Sequence, residues 1–124
     1  MTPIQRKAYV TETAIGQYLL VAPGAADFNV RLATASTDKL MGTSGRMGAA
    51  VVGDRIEVTR LGIDEVMYGG TVAAGDALTC DALGRAVTAA PGAGVNARIV
   101  GYAEVAGVLG DIGKVFIAPG TVQG

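Results

Sequence analysis

The sequence predicts a small, mainly β protein: a single-domain β-barrel or β-tulip-like sandwich with an extended N-terminal arm. Three observations point there. The 124 residues are the length of one domain, enough to bury about two thirds of the unfolded-chain surface around a single core. Short segments alternate apolar and polar residues with a period of two, the signature of half-buried strands. Glycine, proline and aspartate punctuate those segments every 8 to 12 residues or so, roughly the rhythm of a sandwich or barrel.

Residues 1–16 alternate weakly and carry Pro3, Arg6, Lys7 and Glu12. A chain end without a strong pattern is ordered only where another surface ties it down. It is therefore read as an extended arm that docks on a partner, with 17–124 as the barrel. Strands are expected over 18–22, 28–34 and 39–43. The clearest one covers 54–61, where Ile56 and Val58 face one way and Arg55, Glu57 and Thr59 the other. The same parity puts Arg55 and Arg60 on opposite faces, so at least one is expected to meet a partner subunit, a setting in which arginine is enriched.

Further strands are expected over 63–68, 76–80 and 84–88. In Asp81-Ala82-Leu83-Gly84 an Asp opens and a Gly closes a type I turn, which joins the last two as a hairpin. Over 98–105, Ile99, Gly101, Ala103 and Val105 oppose Val100, Tyr102 and Glu104. Over 113–118, Val115 and Ile117 oppose Lys114 and Phe116. The stretches 66–74 and 87–97 are rich in Ala and Gly and lack a helical apolar stripe, leaving room for at most one short helix.

One pattern occurs twice. Met41-Gly42 followed by Val52-Gly53-Asp54 and Val58 is echoed by Val100-Gly101 followed by Leu109-Gly110-Asp111 and Val115, about 58 residues on. A third Gly-Asp, at Gly75-Asp76, also opens a strand. Two similar hairpin units building one barrel-like body are expected.

Composition excludes most chemistry. There are 21 Ala and 19 Gly against 6 aromatic residues, so the core is built from small pieces. With no His, the Ser-His-Asp and Cys-His hydrolase arrangements and the usual His-containing zinc sites are excluded. The single Cys80 forms neither an internal disulfide nor a paired metal site and reads as a small buried apolar residue. Ten basic against eleven acidic residues leave a net charge of -1, without the excess that phosphate neutralisation requires, so no nucleic-acid partner is expected. The longest charge-free stretch, 13–26, is 14 residues, short of the roughly 20 that span a bilayer. The N-terminal residues lack the apolar core of a signal peptide. A soluble, unsecreted chain without membrane contact or cofactor is expected.

The remaining motifs have simpler readings. Gly92-Ala93-Gly94-Val95-Asn96-Ala97 has the spacing of a dinucleotide fingerprint, but a strand follows it where a helix is needed, so it reads as a surface loop. Ser36-Thr37-Asp38-Lys39 lacks the partner motifs of a serine–lysine nucleophile and reads as a polar turn. Asp54, Asp76 and Asp111 each follow a glycine and read as turn caps. Asp64 and Glu65, adjacent on a strand, point apart and do not act as a pair.

From Val51 to Pro119 the order and spacing of these turns and strands resemble the capsid decoration, or cement, proteins of tailed bacteriophages. The strand 55–59 with Gly62, the segment Val72 to Ala86, the Val100-Gly101-Tyr102-Ala103 echo and the ending from Gly110-Asp111 to Pro119 carry the resemblance. It implies a small β-barrel without catalytic activity. Such a protein would assemble as a homotrimer on the outer surface of the head, after synthesis in the host cytoplasm. There it would contact adjacent major capsid proteins and stabilise the expanded lattice. With the arm docked on the shell, the candidate interface residues are Pro3, Arg6, Lys7, Tyr9, Arg55 and Arg60. A small carbohydrate-binding or β-clip module is the alternative; it shares the short strands and turns but ordinarily presents the aromatic platforms that this chain offers sparsely.

Overall fold

In a computed structural model that describes residues 5–46, 48–49 and 51–124, every regular element among those residues is a strand. In chain order these are β1 (Gln5–Thr11), β2 (Leu20–Pro23), β3 (Asn29–Leu32), β4 (Gly42–Thr43), β5 (Arg55–Met67), β6 (Ala77–Cys80), β7 (Ala86–Thr88), β8 (Asn96–Ala103) and β9 (Ile112–Gln123). They form one nine-stranded sheet that curls on itself twice. The first curl closes in the order β1-β3-β2-β4-β5, with β5 pairing back onto β1. The second runs from the far half of β5 through β9, β8, β6 and β7, and returns by a parallel bridge from Ala86 to Tyr68, just past the end of β5.

The two barrels are built alike, strand for strand. β1–β3 is parallel, as is the Ala86–Tyr68 bridge, and the other four pairings of each barrel are antiparallel. The hydrogen bonds repeat too. Gly53 N donates to Thr11 O at 2.8 Å and Gly110 N to Tyr68 O at 2.9 Å; Thr11 N donates to Asp54 O at 3.0 Å and Tyr68 N to Asp111 O at 2.8 Å. Ile15 pairs with Ala49 as Val72 pairs with Gly107. The doubled pattern in the sequence therefore marks a whole duplicated barrel and not a hairpin within one barrel.

Each barrel has a core. Tyr9, Ile15, Val21, Val30, Met41, Ile56 and Val58 fill the first. Val66, Tyr68, Leu78, Val100, Val115 and Ile117 fill the second, together with Leu20, Ala22, Ala33 and Leu40, which reach it from the outside of the first barrel. Cys80 sits in this second core, its Sγ 3.1 Å from Ala35 O, and burial pushes its thiol up to about 11, so it stays uncharged. Tyr68 is fully buried and its hydroxyl donates to Val105 O at 2.7 Å. Arg31 donates twice to Asp38, at 3.1 and 3.0 Å. That pair holds the Asp38 carboxyl below its ordinary range and braces the loop whose Ser36 O accepts from Arg98 N of the other barrel at 2.8 Å.

The structure departs from the sequence reading at further places, among them Val100, which is buried like Ile99 because the register shifts between Ile99 and Gly101. The residues read as an arm are not free of the barrel from Gln5 onward: β1 is antiparallel to β5 from Gln5 to Val10 and parallel to β3 at Val10 and Thr11. The weak alternation arises because only Tyr9 and Thr11 are buried. The two segments 54–61 and 63–68 are one strand, because Gly62 at φ +109 carries the chain through without breaking the pairing. Thr59 is 2% exposed, since its outward face is covered by Arg6 and Asp64. Val105 is exposed, as β8 ends at Ala103.

Gly42 and Gly101 are equivalent in the two barrels, and each lets a neighbouring strand pass close by. A Cβ on Gly42 would lie 1.9 Å from Thr59 O, and one on Gly101 1.9 Å from Phe116 O. Either glycine changed to Ala is expected to lower the unfolding free energy by about 1–3 kcal/mol in urea denaturation. Gly70→Ala, whose Cβ meets nothing closer than Val87 Cγ1 at 4.0 Å, should change it by less than about 0.5 kcal/mol.

Candidate docking face

β1 and β5 set the face. Their register puts Arg6 opposite Thr59, Lys7 opposite Val58 and Tyr9 opposite Ile56. Tyr9 turns its ring into the first core at 6% exposure, and its hydroxyl accepts a hydrogen bond from Arg60 Nη1 at 3.0 Å. Lys7 Nζ lies 5.8 Å from the Tyr9 ring centre and 4.9 Å from that of Phe28. Both are within the range where a cation is drawn to a ring face. Arg6 reaches the other way: its Nε donates to Thr59 Oγ1 at 3.2 Å, that hydroxyl donates to the buried Asp64 Oδ2 at 2.5 Å, and Arg6 Nη2 is 3.8 Å from the same oxygen. A shallow hollow of about 490 Å³ lies among Gln5, Arg6, Lys7, Arg60 and Leu61. Three cations thus gather beside exposed apolar surface, an arrangement suited to an acidic partner with an apolar contact.

Phe28 is 66% exposed and its φ is +63, a conformation that costs a bulky residue roughly 1–2 kcal/mol. Glu12 fixes the loop that carries it. The Glu12 carboxylate accepts from Ala25 N at 2.9 Å, Ala26 N at 3.2 Å and Asn29 Nδ2 at 3.0 Å, and these donors hold its pKa below the ordinary value. The matching loop of the second barrel is one residue shorter, Asp81 N donating to Arg85 O where Gly24 N donates to Asn29 O, and the residue before that acceptor is there Gly84 at φ +77. Tyr18 repeats this contrast: its φ is +61 where the second barrel has Gly75 at φ +90. Tyr18 is half-buried, its carbonyl accepting from Met67 N at 2.8 Å, whereas Phe28 stands in solvent.

Of the residues singled out in the sequence, Arg6, Lys7, Tyr9 and Arg60 come together here. Arg55 does not: it is exposed opposite Val10 at the start of β5. Both arginines are exposed, so their opposite parity did not bury either one. Pro3 lies outside the described residues. Sequence reasoning missed Phe28 and Leu61. No sequence signal marked Phe28: the doubled pattern begins only at Met41, and the loop that carries Phe28 differs in length from its counterpart.

The other motifs take structural roles. Asp76 Oδ2 accepts from Ala73 N and Asp111 Oδ2 from Val108 N, both at 3.0 Å, closing turns. Gly92 to Val95 form a turn before β8. Among the described residues no three acidic or cysteine side chains gather as a metal site.

No family model and no curated protein matches the sequence. Among solved structures the chain is similar to the head fiber gp8.5 N base of bacteriophage phi29, with 21% identity and a TM-score of 0.64 over 94% of this chain and 95% of that one. The two share a fold. The likeness extends over most of both chains.

The strain at Phe28 lowers the stability of the fold. Phe28→Gly is expected to raise the unfolding free energy by roughly 0.5–1 kcal/mol, the αL cost less the entropy of a freer backbone. Urea denaturation checks this.

Proposed function

We propose that this chain is a structural, non-catalytic protein of a phage virion that sits on the outer surface of the head and binds neighbouring major capsid proteins. The observation that carries the reading is the likeness to a head-fiber base along 94% of this chain and 95% of the other. The resemblance of Val51 to Pro119 to capsid decoration proteins points the same way, as does a chain without histidine whose chemistry-bearing residues are spent on turns and ion pairs.

Physically, binding only the expanded lattice stabilises it by linkage, at roughly 2.7 kcal/mol per site when free protein is about 100 times its dissociation constant. The cations Arg6, Lys7 and Arg60 would meet acidic shell surface, with Phe28 and Leu61 supplying apolar contact. The protein would also self-associate, as a homotrimer; what supports self-association is a cross-strand row, Ile63 beside Phe116 beside Tyr102, with Phe116 40% and Tyr102 45% exposed. The equivalent pair in the first barrel is Arg6 beside Thr59, so the fold does not require apolar residues there.

Co-sedimentation with purified empty shells tests the reading. Wild-type protein is expected to pellet with expanded shells and not with unexpanded ones, and Lys7→Glu with Arg60→Glu to weaken that binding at least tenfold. Free protein that fails to pellet with expanded shells contradicts the reading.

A further inference from the structure

The chain contains three turns of one kind, each an x-x-Gly-Asp sequence with glycine at the left-handed position. They are Val51-Val52-Gly53-Asp54, Ala73-Ala74-Gly75-Asp76 and Val108-Leu109-Gly110-Asp111, with glycine φ values of +92, +90 and +90. In each, the aspartate N donates back to the first carbonyl, at 3.1, 3.1 and 3.0 Å. A Cβ on any of the three glycines would meet nothing within 4 Å, so all three turns project into open space.

The residues at their tips differ. Val51 and Val52 are 61% and 64% exposed, and Val108 and Leu109 are 54% and 61% exposed. The third turn does the same structural work with two alanines, so its geometry has no need of large apolar side chains. Isolated exposed apolar residues are ordinary. An adjacent pair on a projecting tip, present in both copies of the duplicated barrel and absent from the third turn, is not explained by the fold.

Position sharpens the point. The first tip is bonded to Thr11 and leads into Arg55, where β5 begins; the second is bonded to Tyr68, just past Met67, where β5 ends. The tips therefore lie beyond opposite ends of a 13-residue strand, whose contour is about 40 Å at the usual strand rise.

We infer that the two tips are twin plugs, Val51-Val52 and Val108-Leu109, each of which inserts in an apolar socket on one of two adjacent, equivalent subunits of a protein lattice. The inference rests on the capsid-binding reading and specifies its partner. Two like plugs at opposite ends of one body fit two like sockets, which a lattice of identical subunits supplies and a single globular partner does not. The aspartate at the base of the second plug caps its own turn, Oδ2 accepting from Val108 N at 3.0 Å, which fixes the shape of the tip. Bridging makes the second insertion intramolecular, so weak individual contacts multiply.

The test compares four proteins binding to empty expanded shells over a concentration series: wild type, Val51→Ser with Val52→Ser, Val108→Ser with Leu109→Ser, and the control Ala73→Ser with Ala74→Ser. Melting temperatures and the mass of the free protein are measured alongside. Each single-plug variant is expected to melt with the wild type, keep its mass, and bind about 10²-fold or more weakly, the loss expected of a bivalent binder reduced to one contact. The control should bind as wild type. Equal binding by wild type and both plug variants overturns the inference while leaving the capsid reading intact, as does a loss confined to one plug. A change in free-protein mass in either plug variant also overturns it, because the tip is then a contact between copies of this chain. Wild type that does not bind shells at all overturns the reading of function itself.

Discussion

The structure depends on a wall that belongs to both barrels. From Leu20 to Ala22, β2 is buried on both faces, Val21 into the first core and Leu20 and Ala22 into the second. β5 crosses the same boundary lengthwise, giving Ile56 and Val58 to one core and Val66 to the other. Leu20 N donates to Gly84 O across the junction at 2.8 Å, and Arg98 N to Ser36 O at 2.8 Å. A five-stranded ring of short strands with so few large side chains is marginal by itself, because small domains bury too little surface. Packed back to back, each ring covers apolar residues that the other would leave wet.

The abundance of alanine and glycine follows from that arrangement. Ala22, Ala33, Ala86 and Ala103 are buried in the second core, the first two reaching it from the first barrel, and Gly107 and Gly113 lie against the ring of Tyr68, where a Cβ would fall 2.6 and 2.2 Å from it. Duplication then frees the outer surfaces to diverge on one scaffold. The first barrel carries Arg6, Arg55 and Glu57 outward, and the second has Ile63, Ile112 and Lys114 at the matching places. The same fold thus carries Arg6 and Arg55 on one flank where the other has isoleucines, while Glu57 is matched by a lysine.

Much of this was legible. Alternation at Ile56/Val58 and Val115/Ile117 named core residues correctly, because inward and outward faces differ strongly there. The doubled apolar-Gly-Asp pattern pointed to a repeat, but not to its extent. Equivalent positions such as Arg6 and Ile63 share a backbone place without sharing chemistry, and the loop that carries Phe28 is one residue longer than its counterpart. β1 was hidden for a related reason: Gln5, Arg6 and Lys7 sit at a barrel rim where both faces reach solvent, so the period-two signal begins only at Tyr9. The docking face was half legible, since Arg6, Lys7, Tyr9 and Arg60 are conspicuous as charges and an aromatic, while Phe28 is brought to them by a loop held by Glu12.

If the wall is shared, the barrels cannot unfold separately. Native-state hydrogen exchange on wild type and Leu20→Ala measures this directly, following the amides of Val58 in the first barrel and Val115 in the second. Leu20 is fully buried in the second core but is carried by a strand of the first. Removing its side chain is expected to lower the opening free energy of both amides equally, by about 2–5 kcal/mol. A fall at Val115 with Val58 unchanged would contradict the account, for the two barrels would then be independent bodies joined only by a long strand.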